Sequence, residues 1–233
     1  MFGEWTFYSI ATVGPSMVPM SRIVVGIDLA GPANAAGTVL VAGVANGTEL
    51  RIERVVDGAS DSAIFDTCRE LATGHELFVG LDAPLSYQPG GGDRPGDADL
   101  RRHLVTLGLK PGTVMPPTLH RMVYLTLRGI HVARMLLPLG AKIAEVHPAG
   151  SLAYAGANVD DVKALKSDST ARFRLLAWLE SSGLHGAVES FPEPSDHAVA
   201  ACAALFAAWI WSDGRCGWHW PAEPPHHPHD YIC

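Results

Sequence analysis

Two stretches, VVGID (24–28) and FVGLD (78–82), repeat one pattern: an apolar run, a glycine, one more apolar residue and an aspartate. Apolar, largely β-branched runs of this length bounded by turn residues are strands. RIVVGIDLA (22–30) is followed at once by GPANAAG, and ELFVGLDAPL (76–85) by SYQPGGGDRPGD, so each strand empties into a loop. Between them lie TVLVAGVA (38–45) and TELRIERVV (48–56), joined by Asn46-Gly47, a strong hairpin signal. DSAIFDTCRELA (61–72) carries apolar residues at helical spacing up to Gly74.

Beyond the second strand, helices are predicted near 97–107 and 119–138, with AKIAEVHP (141–148) a short strand and further helices near 168–182 and 196–211. The order predicts an α/β fold with a mixed five-stranded sheet, three antiparallel strands and then parallel ones, flanked by helices. It spans residues 21–213, between an N-terminal extension (1–20) and a Pro/His/Trp-rich tail (214–233) without periodicity. The extension lacks a basic n-region, so no secretory signal is expected, and Met20 is an alternative start.

The chain of 233 residues, 48% hydrophobic and 18% charged, has the composition of a soluble globular protein. Its longest near-apolar run, AVAACAALFAAWIW (198–211), falls short of the ~20 residues a bilayer span needs. Four cysteines without CxxC spacing point to a reducing, cytoplasmic setting. A net charge of −7 disfavours a polyanion partner, yet residues 94–142 carry eight basic residues against Asp97 and Asp99. Such asymmetry marks either an anion-facing side or a solvated surface. Aromatics are not interleaved with these basic residues as on a single-strand stacking platform, which weakens a sequence-specific nucleic-acid binder. GxSxG, P-loop and GxGxxG motifs are absent. The tail histidines match no zinc spacing, and disorder is the expectation for them.

If the twin strands are parallel neighbours, Asp28 and Asp82 stand at one edge of the sheet, where ligands bind in such folds. Glu145, ending the strand in AEVHPAG, falls at the same edge. Gathered acids repel one another, and a hard divalent cation, Mg²⁺ or Mn²⁺, removes the conflict. Each acid also has a plain structural reading: Asp28 and Asp82 as turn residues, Glu145 as a solvated strand end.

VVGIDLAG, GLDAPLS, GGDRPGDADLRR, AEVHPAG and SDHAVAACAA, in that order, resemble the domain-of-unknown-function family 429 over roughly residues 21–212. That family is described as predicted nucleases with a ribonuclease H-like fold. The resemblance implies a metal site of Asp28, Asp82 and Asp196, with Glu145 a further catalytic candidate. It implies phosphate contacts from Arg94, Arg101, Lys163, Lys166 and Arg172, and a nucleic acid or nucleotide phosphoester as substrate. Asp196 follows Ser195 at a helix start, where a capping role is the alternative. One departure stands out: Ala200 occupies the place where the family often has a second acid on the last helix. The expected function is therefore a divalent-metal-dependent nuclease or phosphodiesterase. An actin-like or sugar-kinase-type phosphotransferase and a non-catalytic binding module are the alternatives.

Overall fold

The computed structural model describes residues 21–233; the expected extension lies outside the described residues. The chain runs through β1 (Arg22–Asp28), β2 (Val39–Asn46), β3 (Glu49–Asp57), α1 (Asp61–Ala72), β4 (Glu76–Asp82), α2 (Pro95–Thr106) and α3 (Val123–Leu136). It continues through β5 (Lys142–Val146), α4 (Pro148–Tyr154), α5 (Val159–Ala164), α6 (Ser169–Ser181), β6 (Leu184–His185) and α7 (Ala187–Ser190). The last elements are α8 (Asp196–Ser212), β7 (His219–Trp220) and β8 (Asp230–Ile232).

One mixed sheet of eight strands, in the order β6-β3-β2-β1-β4-β5-β8-β7, organises the molecule. The predicted hairpin forms across Asn46-Gly47, with Gly47 at φ +60°. β1 pairs antiparallel with β2 and parallel with β4, and β5 is parallel to β4. The five expected strands are present; three more extend the sheet. β6 is only two residues long, below what periodicity detects.

The largest correction concerns the C-terminal tail. β8 lies parallel to β5, with Tyr231 and Ile232 buried, and β7 pairs antiparallel with β8. Trp218 packs edge-on against Tyr231 at 5.2 Å between ring centroids, and its indole N–H donates to Asp99 at 2.9 Å. An uncovered β5 would present a row of unpaired backbone groups, which β8 satisfies. Three residues among prolines and histidines carry too little alternation to announce a strand.

Alternation along β1 and β4 divides the core. Ile23, Val25, Ile27, Leu77, Val79 and Leu81 meet Ile64 and Cys68 of α1 and Val132 and Leu136 of α3 on one face. Val24 and Phe78 point to the other face, where α2, α4, α6 and α8 pack. Gly26 and Gly80 share that second face, and they explain the glycines of the twin pattern. A Cβ on Gly26 would overlap the α8 backbone at Ala201 and Leu205, and one on Gly80 would lie 2.5 Å from the carbonyl oxygen of Ala204. Both strands thus drop their side chain where α8 crosses, and alanine-rich α8 approaches to backbone contact. No helix among the described residues is long and apolar enough to cross a membrane.

Candidate active site

Side chains two residues apart on a strand share a face, so Asp28 and Asp82 point the same way as Gly26 and Gly80. The glycines seat α8; the aspartates, two residues further along, meet its first turn. In the parallel register Asp28 lies directly opposite Asp82. The pattern Gly-x-Asp is therefore one device used twice: close approach, then a carboxylate under a helix start.

Both aspartates line a cavity of about 300 Å³ at the carboxyl ends of β1, β4 and β5. Lys166, Asp196, His197 and Ala200 form its wall from the helical side. Met115, Met122 and Leu125 supply an apolar flank. Asp28 is only 9% exposed. Burial, and then the adjacent charge of Asp28, hold the Asp82 carboxyl well above the usual carboxylate range, against a weaker opposing pull from Lys166.

His197, which the sequence reading did not single out, bonds through Nδ1 to Asp28 Oδ2 at 2.6 Å. The Asp28 hydrogen bond pushes the imidazole pKa up despite partial burial. The only sequence signal was its place beside Asp196. Its partner lies 169 residues away in the chain.

α8 is capped by Ser195, whose hydroxyl accepts from the Ala198 N–H at 3.0 Å. The hydrogen-bonding cap is thus Ser195, while Asp196 stands in the first turn of α8, where its charge meets the helix dipole, and also borders the cavity. Ala200, one turn further on, borders it too.

Glu145 and Arg94 also line the cavity, but they are spent on each other. Glu145 is 4% exposed, and its Oε2 accepts from the Leu85 N–H at 2.8 Å and from Arg94 Nη1 at 2.7 Å. Arg94 Nη2 donates to Glu145 Oε1 and, at 2.7 Å, to Asp97 Oδ1. Arg94 Nε donates to Asp97 Oδ2 at 3.0 Å, and Nη1 also reaches Ser86 Oγ at 3.1 Å. All five guanidinium donors are used, leaving none for a phosphate oxygen. The Tyr231 ring packs against the guanidinium, 5.2 Å from its centroid, and Ser86 bonds His227 at 2.8 Å. Arg94 is a buried tie between the loop after β4, α2, β5 and the C-terminal strand.

The other basic candidates separate as well. Arg101 grips Asp93, Lys163 pairs with Asp160, and neither borders the cavity. Arg172 donates to the carbonyls of Pro194 and Leu165, at 2.8 and 3.2 Å, and so braces the two segments that carry Asp196 and Lys166. Lys166 borders the cavity and belongs to no ion pair among the described residues. His147, also at the rim, accepts from the Gly150 N–H through Nδ1 and faces the Thr113 carbonyl through Nε2. Burial lowers its pKa, which fits a neutral ring that caps α4.

Hard oxygen donors at matched register, one of them driven toward protonation by burial and the carboxylate beside it, suit Mg²⁺ or Mn²⁺. Among the described residues, however, no group of three or more His, Cys, Asp or Glu side chains is gathered tightly enough to form a metal cluster. Asp28, Asp82 and Asp196 line the same cavity.

The fold and site define an α/β protein with a carboxylate-floored cleft at the carboxyl edge of a mixed sheet. The chain belongs to the family described as protein of unknown function (DUF429), whose family model matches residues 26–226. No curated protein and no solved structure matches it.

Proposed function

We propose that the cleft hydrolyses phosphodiesters with a divalent cation held by Asp28 and Asp82 and faced by Asp196. The observation that carries this reading is the register pair itself: two carboxylates directly opposite on parallel strands, Asp28 buried and Asp82 half-buried, with the Asp82 carboxyl raised. Three antiparallel strands followed by parallel ones, β3-β2-β1-β4-β5, support a ribonuclease H-like core within the larger sheet. A bound Mg²⁺ or Mn²⁺ supplies Lewis-acid chemistry, lowering the pKa of a coordinated water and stabilising charge on a leaving oxygen.

The chain's own groups divide the remaining work. Asp28 and Asp82 provide the negative floor, and His197 fixes the Asp28 carboxylate in one orientation through its Nδ1 bond. Lys166, on the cavity wall, offers its ammonium to a non-bridging phosphate oxygen. Ala200 keeps the wall beside Asp196 short, leaving room for substrate. The Met115–Met122–Leu125 flank excludes water from one side and accepts an apolar part of the ligand.

The test is hydrolysis of bis(p-nitrophenyl) phosphate with Mn²⁺ or Mg²⁺. Wild-type protein turns over, EDTA stops it, and Asp28→Asn reduces kcat/KM by at least a hundredfold with the fold intact by circular dichroism. Undiminished turnover by Asp28→Asn would refute the mechanism.

A further inference from the structure

We infer that the outer face of α3 is a track for single-stranded nucleic acid leading into the cleft. The inference rests on the phosphodiester reading of that cleft and names its substrate class. α3 borders the cavity through Leu125, and Met122 precedes it on the same wall. Its opposite face carries Tyr124, Leu127, His131 and Arg134, all exposed and spaced by three, four and three residues, so they form one stripe. Tyr124 is 67% exposed and Leu127 58%, unusual for such side chains on a helix that buries its other side. Arg121, also exposed, extends the stripe toward the cleft.

Charge selects the occupant. From Leu100 to Ala144, forty-five residues, the chain has no Asp or Glu and seven Arg or Lys, in a protein of net charge −7. Arg101, Arg102, Arg128 and Lys142 pair with Asp93, Asp99, Asp61 and Glu76; Arg121 and Arg134 take part in no ion pair among the described residues. The stripe thus places the Tyr124 ring between two unspent cations, Arg121 just before the helix and Arg134 near its end, a combination that helical spacing brings together. A second exposed ring, Tyr87, is on the loop after β4, and that loop is tied to the segment before α3 by the Gly92 N–H donating to Thr118 Oγ1 at 2.8 Å. Tyr124 and Arg134 are about 15 Å apart along the axis, room for a few nucleotides. Stacking faces with flanking cations suit an unpaired strand, whose bases are open to aromatic rings.

The measurement is fluorescence anisotropy of labelled oligothymidylate of about sixteen nucleotides, the upper end of a single-domain site, with the full chain in EDTA. Tyr124→Ala weakens binding about fivefold or more. Arg121→Gln and Arg134→Gln each flatten the slope of log K against log salt by about 0.7. Phe173→Ala, at an exposed ring on α6, leaves both readouts unchanged. Unaltered affinity and slope in the three stripe variants would overturn the inference. So would equally tight binding of a polyglutamate peptide, or a wild-type dimer that Tyr124→Ala converts to monomer. Because binding is read without metal, its failure leaves the hydrolytic reading standing, and a failed hydrolysis assay leaves the track standing.

Discussion

Asp82 stands opposite Asp28 inside a cleft, and burial first, then the repulsion between the two carboxylates, raises its pKa. A carboxyl raised on folding binds its proton more tightly in the folded than in the unfolded state. The stability it contributes is complete below the unfolded value near 4 and is lost as pH rises through the folded one. The same sign holds for His197, raised chiefly by its bond to Asp28: its contribution is complete below about 6.5 and is lost above the raised value. Without divalent cations, the melting temperature of the wild type is therefore expected to fall as pH rises from 5 to 8. Asp82→Asn, which removes one repelling charge, melts higher than wild type at pH 8, with the gap closing toward pH 4. Thermal melts across that range in EDTA check this, and a gap independent of pH would contradict the assigned cause. The strand-end acids were legible because their chemistry conflicts with their apolar surroundings. His197 was not, because a histidine next to an acid is common and its partner lies on a distant strand.

At the scale of elements, the decisive contact is α8 against the twin strands. Gly26 and Gly80 leave no room for a methyl group, since the obstacle is backbone that cannot rotate away. Gly26→Ala is expected to destabilise the fold by about 1–3 kcal/mol or more, and to shift α8 and the Asp28–His197 pair with it. Gly31→Ala, where nothing lies within 4 Å of the added carbon, is the matched control. Urea unfolding distinguishes them; equal stability of the two variants would sink the packing explanation. Most helices and the core strands were readable from periodicity, with ends within a few residues. The short elements α4, α5, β6, α7, β7 and β8 were not. Each spans seven residues or fewer, so none completes enough periods to stand out from loop, and tertiary contacts hold them. Arg94 shows the same limit at a site residue. Its glycine-rich loop suggested a free cation for phosphate, whereas Asp97 three residues on, Ser86 eight residues back and Glu145 on β5, 51 residues away, converge on it. Sequence proximity carries no sign of the Glu145 partner.

For the whole molecule, the sheet carries its acids at one edge, its cleft between that edge and α8, and an acid-free basic segment beside it. The C-terminal strand is part of this arrangement, because Tyr231 packs on Arg94 and β8 covers β5. Work on the site therefore calls for the full chain, not one shortened before β7. The central claim is that Asp28 and Asp82 together hold a divalent cation. Calorimetric titration of Mn²⁺ into the wild type and into Asp28→Asn/Asp82→Asn tests it directly. Saturable binding by the wild type that disappears in the double variant is the predicted result; binding that persists undiminished in the double variant, or none by the wild type, would contradict it.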